Sequence, residues 1–176
     1  MFKILIGVVV ATIAVIGVFL MIDPNIQGSA TQSATEVVSS FTVAIEGEVY
    51  NPGNFTMDEG STMADLIATA GGATVNADSR AYYESATITK GMTYYIASRY
   101  DSSDVCNNNE VSKVNINSDS VATLTSVSGI TQTIANSIVS YRETNGEFST
   151  LEDLMEVYGI GNATYRKIRG YVILHA

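Results

Sequence analysis

Two short stretches, thirty residues apart, carry the residue types best suited to holding a polyanion. The first is Leu124-Thr-Ser-Val127-Ser-Gly129-Ile130-Thr131, followed by an apolar helical run to Ile138. The second is Leu154-Met-Glu-Val157-Tyr-Gly159-Ile160-Gly161, followed by a run to Ile168. Leu, Val, Gly, Ile and a later Ile occupy matching places. A glycine at a bend lets the main chain approach a ligand without a Cβ in the way. The helix after the bend opens with unpaired N–H groups and the positive end of its dipole, and the combination attracts phosphate. The candidate contacts are Gly129, Ile130, Thr131, Gln132 and Thr133 at the first bend. At the second they are Gly159, Ile160, Gly161, Asn162 and Thr164, with Arg166 and Lys167 on the helix that follows. Ile130 and Ile160 are expected to turn inward and anchor each bend. Arg169 is a third base on the same run.

The residue types for catalysis are not assembled. His175 is the lone histidine and falls at what reads as a frayed C-terminus, so neither a base-activated triad nor a His-based metal site is available. Carboxylates are scattered, and Ser and Thr have no partner base. Asp101 and Asp104 lack the loop spacing and bidentate Glu of a calcium site. Cys106 is the single cysteine. It reads as incidental in a linker, with an intermolecular disulfide as the alternative in an oxidising space. The chain is therefore read as a non-enzyme without cofactor or metal.

The net charge of −9 excludes a simple polycation that wraps nucleic acid. It is unevenly spread: residues 23–112 sum to −9, whereas 113–176 sum to −1. A nearly neutral region can still hold DNA through main-chain N–H groups, at modest affinity.

The elements around the bends complete this reading. Residues 113–176 should form four short helices. Asn117 or Ser118 caps the first, which runs to Val127. The second passes through Ile134, Ile138 and Tyr141 and closes at Asn145-Gly146. Ser149-Thr-Leu-Glu152 is a capping box for the third, and Tyr165, Ile168 and Val172 stripe the fourth. Helix, tight Gly-Ile turn and helix is a helix-hairpin-helix layout. Two copies can bury one small core that neither could bury alone. Related by pseudo-symmetry, they would meet both strands across a minor groove, without sequence preference and with strong salt dependence.

Upstream the chain divides into four further segments. Ile4–Ile22 is a nineteen-residue run with Thr12 as its one clearly polar residue, about 28 Å long as a helix. With Lys3 before it and Asp23-Pro24 after, it reads as a transmembrane anchor over 1–22, N-terminus inside. A cleaved signal peptide ending near Gly28-Ser29-Ala30 is the alternative; its apolar region would be unusually long. Either way the bulk of the chain is extracytoplasmic. Residues 23–40 read as a flexible stalk and 99–112 as a polar linker. Between them, 41–98 reads as α+β: a strand from Phe41 bending near Gly47, a Pro52-Gly53 turn, a strand at Phe55, a helix capped by Ser61 or Thr62, then strands near Ala86–Ile88 and Met92–Ile96. That order is a β-grasp. The fold class is multi-domain: an N-terminal membrane helix, an α+β β-grasp domain, and an all-α tandem hairpin domain over 113–176.

Val43-x-Ile45-x-Gly47-x-Val49-x-x-Pro52-Gly53-x-Phe55, Gly60-Ser61-Thr62, Asp65-Leu66-Ile67, Ala70-Gly71-Gly72, Ala77-Asp78 and Gly91-Met92-x-Tyr94-x-Ile96 together resemble the soluble-ligand-binding β-grasp (SLBB) family. Val114-Asn115-Ile116-Asn117, Leu124, Val127, Gly129-Ile130, Tyr141-Arg142-Glu143, Gly146, Phe148, Leu151-Glu152-Asp153-Leu154, Gly159-Ile160-Gly161 and Lys167-Ile168 resemble the C-terminal domain of ComEA-type competence proteins. The order of anchor, stalk, SLBB domain, linker and tandem hairpins resembles that family too. The resemblance implies a single-pass membrane receptor for double-stranded DNA in natural transformation. Such a receptor passes DNA to a separate uptake channel and does not cut it; self-association through the SLBB domain is a further expectation.

There are departures. The family's Pro-Gly-Ile-Gly at the first hairpin reads Ser128-Gly129-Ile130-Thr131 here, and Ile134 and Ala163 stand where the family often has Lys. The first hairpin is therefore expected to be the weaker. Gly161→Asp should abolish binding, and the analogous change at Gly129 should matter less. Two other functions compete: an extracytoplasmic SLBB binder of polysaccharide or another soluble ligand, and a self-associating interaction protein whose hairpins are structural.

Overall fold

The computed structural model describes residues 39–101 and 109–176, within one compact unit, Val38–Ala176. The apolar run 4–22, the stalk as far as residue 38, Asp104 and Cys106 lie outside the described residues. Among the described residues, no helix is long and apolar enough to cross a membrane.

Alternation of apolar and polar residues makes β1 (Ser40–Gly47) a strand with one buried face, and Val43 and Ile45 point into the core. It pairs antiparallel with β2 (Gly53–Asp58) and parallel with β3 (Thr93–Ile96), giving the order β2-β1-β3. Helix α1 (Met63–Thr69) begins at Thr62, and the Asp65 carboxylate accepts the Thr62 N–H at 2.8 Å. Met63, Leu66 and Ile67 lie over Met57, Tyr94 and Ile96. Each fully buried Leu or Ile in such a core contributes about 2 kcal/mol. Two expectations shift. Ser40 belongs to β1 and Ser39 accepts the Glu59 N–H, so the stalk ends earlier. Strand structure near Ala86–Ile88 reduces to one bridge between Thr62 and Thr87.

The second half contains β4 (Val114–Asn115), α2 (Val121–Leu124), α3 (Gln132–Asn145), a 3-10 helix (Leu151–Glu156), α4 (Asn162–Ile168), a 3-10 turn (Arg169–Tyr171) and β5 (Val172–Ile173). Leu124, Val127, Ile130, Ile138, Phe148, Leu151, Leu154, Ile160 and Ile168 share one core. Three expected features are corrected. The first helix is capped by Ser120, whose Oγ accepts the Thr123 N–H. Asn117 has other work: its amide donates to the carbonyls of Phe148 and Leu174 and accepts from the Phe148 N–H. The third helix is 3-10, and its cap is Thr150 with Asp153 in place of Ser149 with Glu152. The fourth helix stops at Ile168, because Val172 pairs in parallel with Val114 as part of β5.

The segment read as a linker is tied at both ends. Arg99 meets Glu110 at 2.7 Å, and Val111 donates its N–H to the Arg99 carbonyl. Lys113 then buries its ammonium against Asp78 at 2.8 Å. Burial alone would raise the Asp78 carboxyl pKa, but hydrogen bonds from Arg80 and Lys113 outweigh it and hold the group well below the usual carboxylate range. Arg80 also accepts the Leu174 N–H through its carbonyl. His175 is not frayed: its ring stacks on Tyr83, and Nε2 lies 3.2 Å from the Tyr82 carbonyl. The β-grasp and the hairpins therefore form a continuous body.

Candidate nucleic-acid interface

The two bends have nearly the same backbone. In each, a Val carbonyl accepts the N–H of the following Ile at 3.0 Å: Val127 from Ile130, and Val157 from Ile160. The glycine between them has a positive φ, +112° at Gly129 and +91° at Gly159, where a side chain would be strained. Ile130 and Ile160 are buried and fix the bends to the core. Thr131 and Gly161 are the cap residues of α3 and α4, with ψ of 166° and 179°. Gln132, Thr133, Gly159, Gly161 and Asn162 are exposed, as is Thr131; Gly129 and Thr164 are half-buried. The N–H groups that open α3 and α4 thus sit at solvent.

The caps differ. Thr131 Oγ1 accepts the Ile134 N–H at 3.3 Å. Gly161 has no side chain to do this for Thr164, so the second hairpin keeps one more main-chain donor at its mouth.

The basic residues do not sit where chain order suggested. Arg166 and Lys167 follow the second bend in sequence, but the fold sets Lys167 against the first bend and Arg166 in the groove beside it. A Cβ built on Gly129 would lie 3.1 Å from Lys167 Cδ and from Ile168 Cγ2, and one on Gly159 would meet Ile134 at 3.4 Å. Each hairpin therefore rests on the other's helix. A groove of about 990 Å³ brings Ser126, Val127 and Ser128 of the first hairpin together with Arg166, Lys167 and Arg169, and its other wall, from the segment 95–114, includes Asp101 and Glu110. Its counterpart, of about 460 Å³, sets Tyr158 of the second hairpin beside Thr133, Asn136, Ser137 and Ser140 of α3.

Arg169 is not a free base. Its guanidinium lies 3.9 Å from the Tyr95 ring centroid and 3.1 Å from a Glu46 carboxylate oxygen, so it bridges to the β-grasp. Beside it, Glu152 is only 2% exposed. Its Oε1 accepts the Tyr95 N–H at 2.8 Å and the Tyr165 O–H at 2.7 Å. Burial pushes the Glu152 carboxyl up to about 7, against the pull of those donors. Burial and the Glu152 charge raise the Tyr165 phenol in turn. This carboxylate ties β3 of the β-grasp to α4 of the second hairpin. No signal at Glu152 alone revealed it, since a capping motif one residue out of register explained the residue locally.

A family model described as a helix-hairpin-helix motif matches residues 109–173, and one described as the SLBB domain matches 42–94. Over 152 residues the chain is 30% identical to ComE operon protein 1 of Bacillus subtilis (strain 168), spanning 80% of this chain and 74% of that protein. It is 45% identical over 60 residues to endonuclease/exonuclease/phosphatase family domain-containing protein 1 of Bos taurus, covering 34% of this chain and 10% of that protein. It is 44% identical over 62 residues to an uncharacterized protein of Haemophilus influenzae, covering 35% of this chain and 55% of that protein.

Proposed function

The chain belongs to the family of ComE operon protein 1, and from that premise we propose that it is a sequence-non-specific receptor for double-stranded DNA in natural transformation. The observation that carries the reading is the pair of bends, alike in backbone and both open to solvent at the start of a helix. Main-chain donors grip phosphate oxygens on the two strands, and charged side chains assist on one side only. Residues 4–22 hold the receptor in the cell membrane as a single span, with the remainder extracytoplasmic, and the bound duplex passes to a separate channel. The protein binds and does not cut.

The test is a salt titration with the full chain in detergent and two duplexes of unrelated sequence. Equal affinity for both, falling as salt rises, is expected. Binding that ignores salt, or no binding at low salt, sinks the proposal. Exposure of the 23–176 portion to a protease added outside intact cells checks the orientation.

A further inference from the structure

The tandem hairpins are pseudo-symmetric in backbone but not in surface chemistry. Positions thirty residues apart correspond, so Ser128 matches Tyr158, Asn136 matches Arg166 and Ser137 matches Lys167. One flank sets the small hydroxyl of Ser128 in a groove with the cations Arg166 and Lys167, which also holds Arg169, Asp101 and Glu110. The other pairs an aromatic ring with Thr133, Asn136, Ser137 and Ser140, and its lining contains no charged residue.

Tyr158 is 84% exposed, beside an apex whose neighbours are fixed. Val157 and Ile160, on either side of the Tyr158-Gly159 step, are both buried, and the Ile160 N–H closes the bend onto the Val157 carbonyl. The ring is thus held outward by a rigid turn, adjacent to Gly159 and the exposed residue Gly161. A phosphate held there places its deoxyribose, with apolar C–H faces, within reach of the phenol. The groove lining offers a phosphate no cation, and the Glu156 carboxylate at its edge accepts the Tyr141 O–H at 2.8 Å, so what this flank can add is contact with sugar and base edge.

Resting on the DNA-receptor reading, we propose that Tyr158 is a further DNA-contacting residue that packs on the deoxyribose and base edge of one strand, while Arg166 and Lys167 neutralise phosphates of the other. Beyond the main-chain grip on phosphates of both strands, one strand gains a salt-insensitive aromatic contact and the other a salt-sensitive ionic one.

Two measurements on the full chain in detergent test this. Tyr158→Ser, which installs the residue of the other hairpin, should weaken duplex binding about tenfold at every salt concentration. The plot of log affinity against log salt should stay parallel to that of the unaltered protein, and Tyr158→Phe should restore most of the loss. The chain has no tryptophan, so Tyr158→Trp gives a single indole reporter. Its emission should change on adding duplex and saturate with binding. Unaltered affinity in Tyr158→Ser, a changed salt slope, or an indole blind to saturating duplex would each overturn the proposal. Where Tyr158→Ser has no effect but Gly161→Asp abolishes binding, the receptor reading survives and this inference alone fails. Where the unaltered chain binds no duplex, both fail.

Discussion

The two hairpins of this molecule share a backbone and differ in surface chemistry. The first has a side-chain cap on its helix and two cations beside it; the second has an open glycine cap, an exposed aromatic apex and no cation in its groove. The contrast shows that main-chain geometry can be duplicated while surface chemistry is not. Because each bend packs on the other's helix, charge encoded after the second bend lies beside the first. Counting bases near a motif along the chain therefore assigns them to the wrong half.

The largest expected effect tests whether main-chain donors do the holding. Gly161 has φ of −95°, and a Cβ there meets nothing within 4 Å. Aspartate is also a favoured cap, so Gly161→Asp should fold as before. Its carboxylate would take the donors at the mouth and repel phosphate, cutting affinity by about a hundredfold or more, near 3 kcal/mol. Gly129→Asp is not the matched change, since φ is +112° and the new atom strikes Lys167 and Ile168. The matched position is Thr131, where Asp should cost only about tenfold, near 1.4 kcal/mol. Equal losses at the two positions would erase the distinction between hairpins. Unaltered filter or gel-shift binding in Gly161→Asp would remove the second hairpin as a contact.

The halves differ also in how the β-grasp holds them. Helix α3 is tied within its own domain, where Arg142 donates to the carbonyls of Ile116 and Asp119. Helix α4 is tied across the junction, through Tyr165 to Glu152 and on to Tyr95. The Glu152 carboxyl is raised from 4.5 to about 7 by burial; Tyr165 and Tyr95 donate to it, and Asp153 adds repulsion. Arg169 stacks on Tyr95, the residue whose N–H Glu152 accepts. A carboxyl raised on folding binds protons more tightly in the folded state. Its stabilisation is complete below pH 4.5 and is lost as pH rises through about 7. Melting followed between pH 5 and 8 should show stability falling, by up to about 3 kcal/mol. Glu152→Gln keeps an acceptor for both donors and should flatten that slope. A slope unchanged in Glu152→Gln would show that the junction does not titrate there. Asp78, held far lower by Arg80 and Lys113, stays ionised across this range and adds nothing to the slope.

The bends were legible because a repeated Leu-x-x-Val-x-Gly-Ile pattern records both the buried anchors and the glycine at each bend. The strand, turn and capped helix of the β-grasp were legible for the same local reason. What was not legible depends on partners distant in the chain. Asn117 looked like a helix cap but is committed to Phe148 and Leu174. Val172 looked helical but completes a ladder with Val114. Arg169 looked like a free cation but bridges to Glu46 and Tyr95. Glu152 matched a capping motif while its real acceptor duty lies across 57 residues, at Tyr95. Local pattern describes the turns; the junction is written only in the folded chain.

Next in size is the ionic flank. Arg166 and Lys167 are both exposed beside the first hairpin. Replacing the pair by alanine should lower the salt slope by ~2 and cost about tenfold in affinity near 0.1 M salt. A slope that does not move would place these side chains away from phosphate, as an ordinary solvated face. That outcome would leave the hairpins distinguished by their caps and by Tyr158 alone.

The smallest effect addresses the caps. Thr131→Gly gives the first hairpin the open cap of the second. It frees the Ile134 N–H, now 3.3 Å from Thr131 Oγ1, and removes the Cβ over the helix mouth. Glycine is a tolerated cap, so stability should fall by only a few tenths of a kcal/mol, read from the melting midpoint. Duplex affinity should rise, by about twofold, because one more donor is left for phosphate. The sign matters more than the size. A rise says that the hydroxyl competes with DNA for the same N–H, which makes the first hairpin weaker by its own cap. A fall says that the hydroxyl itself touches the duplex, and the ranking of the two hairpins then has to rest on their flanks.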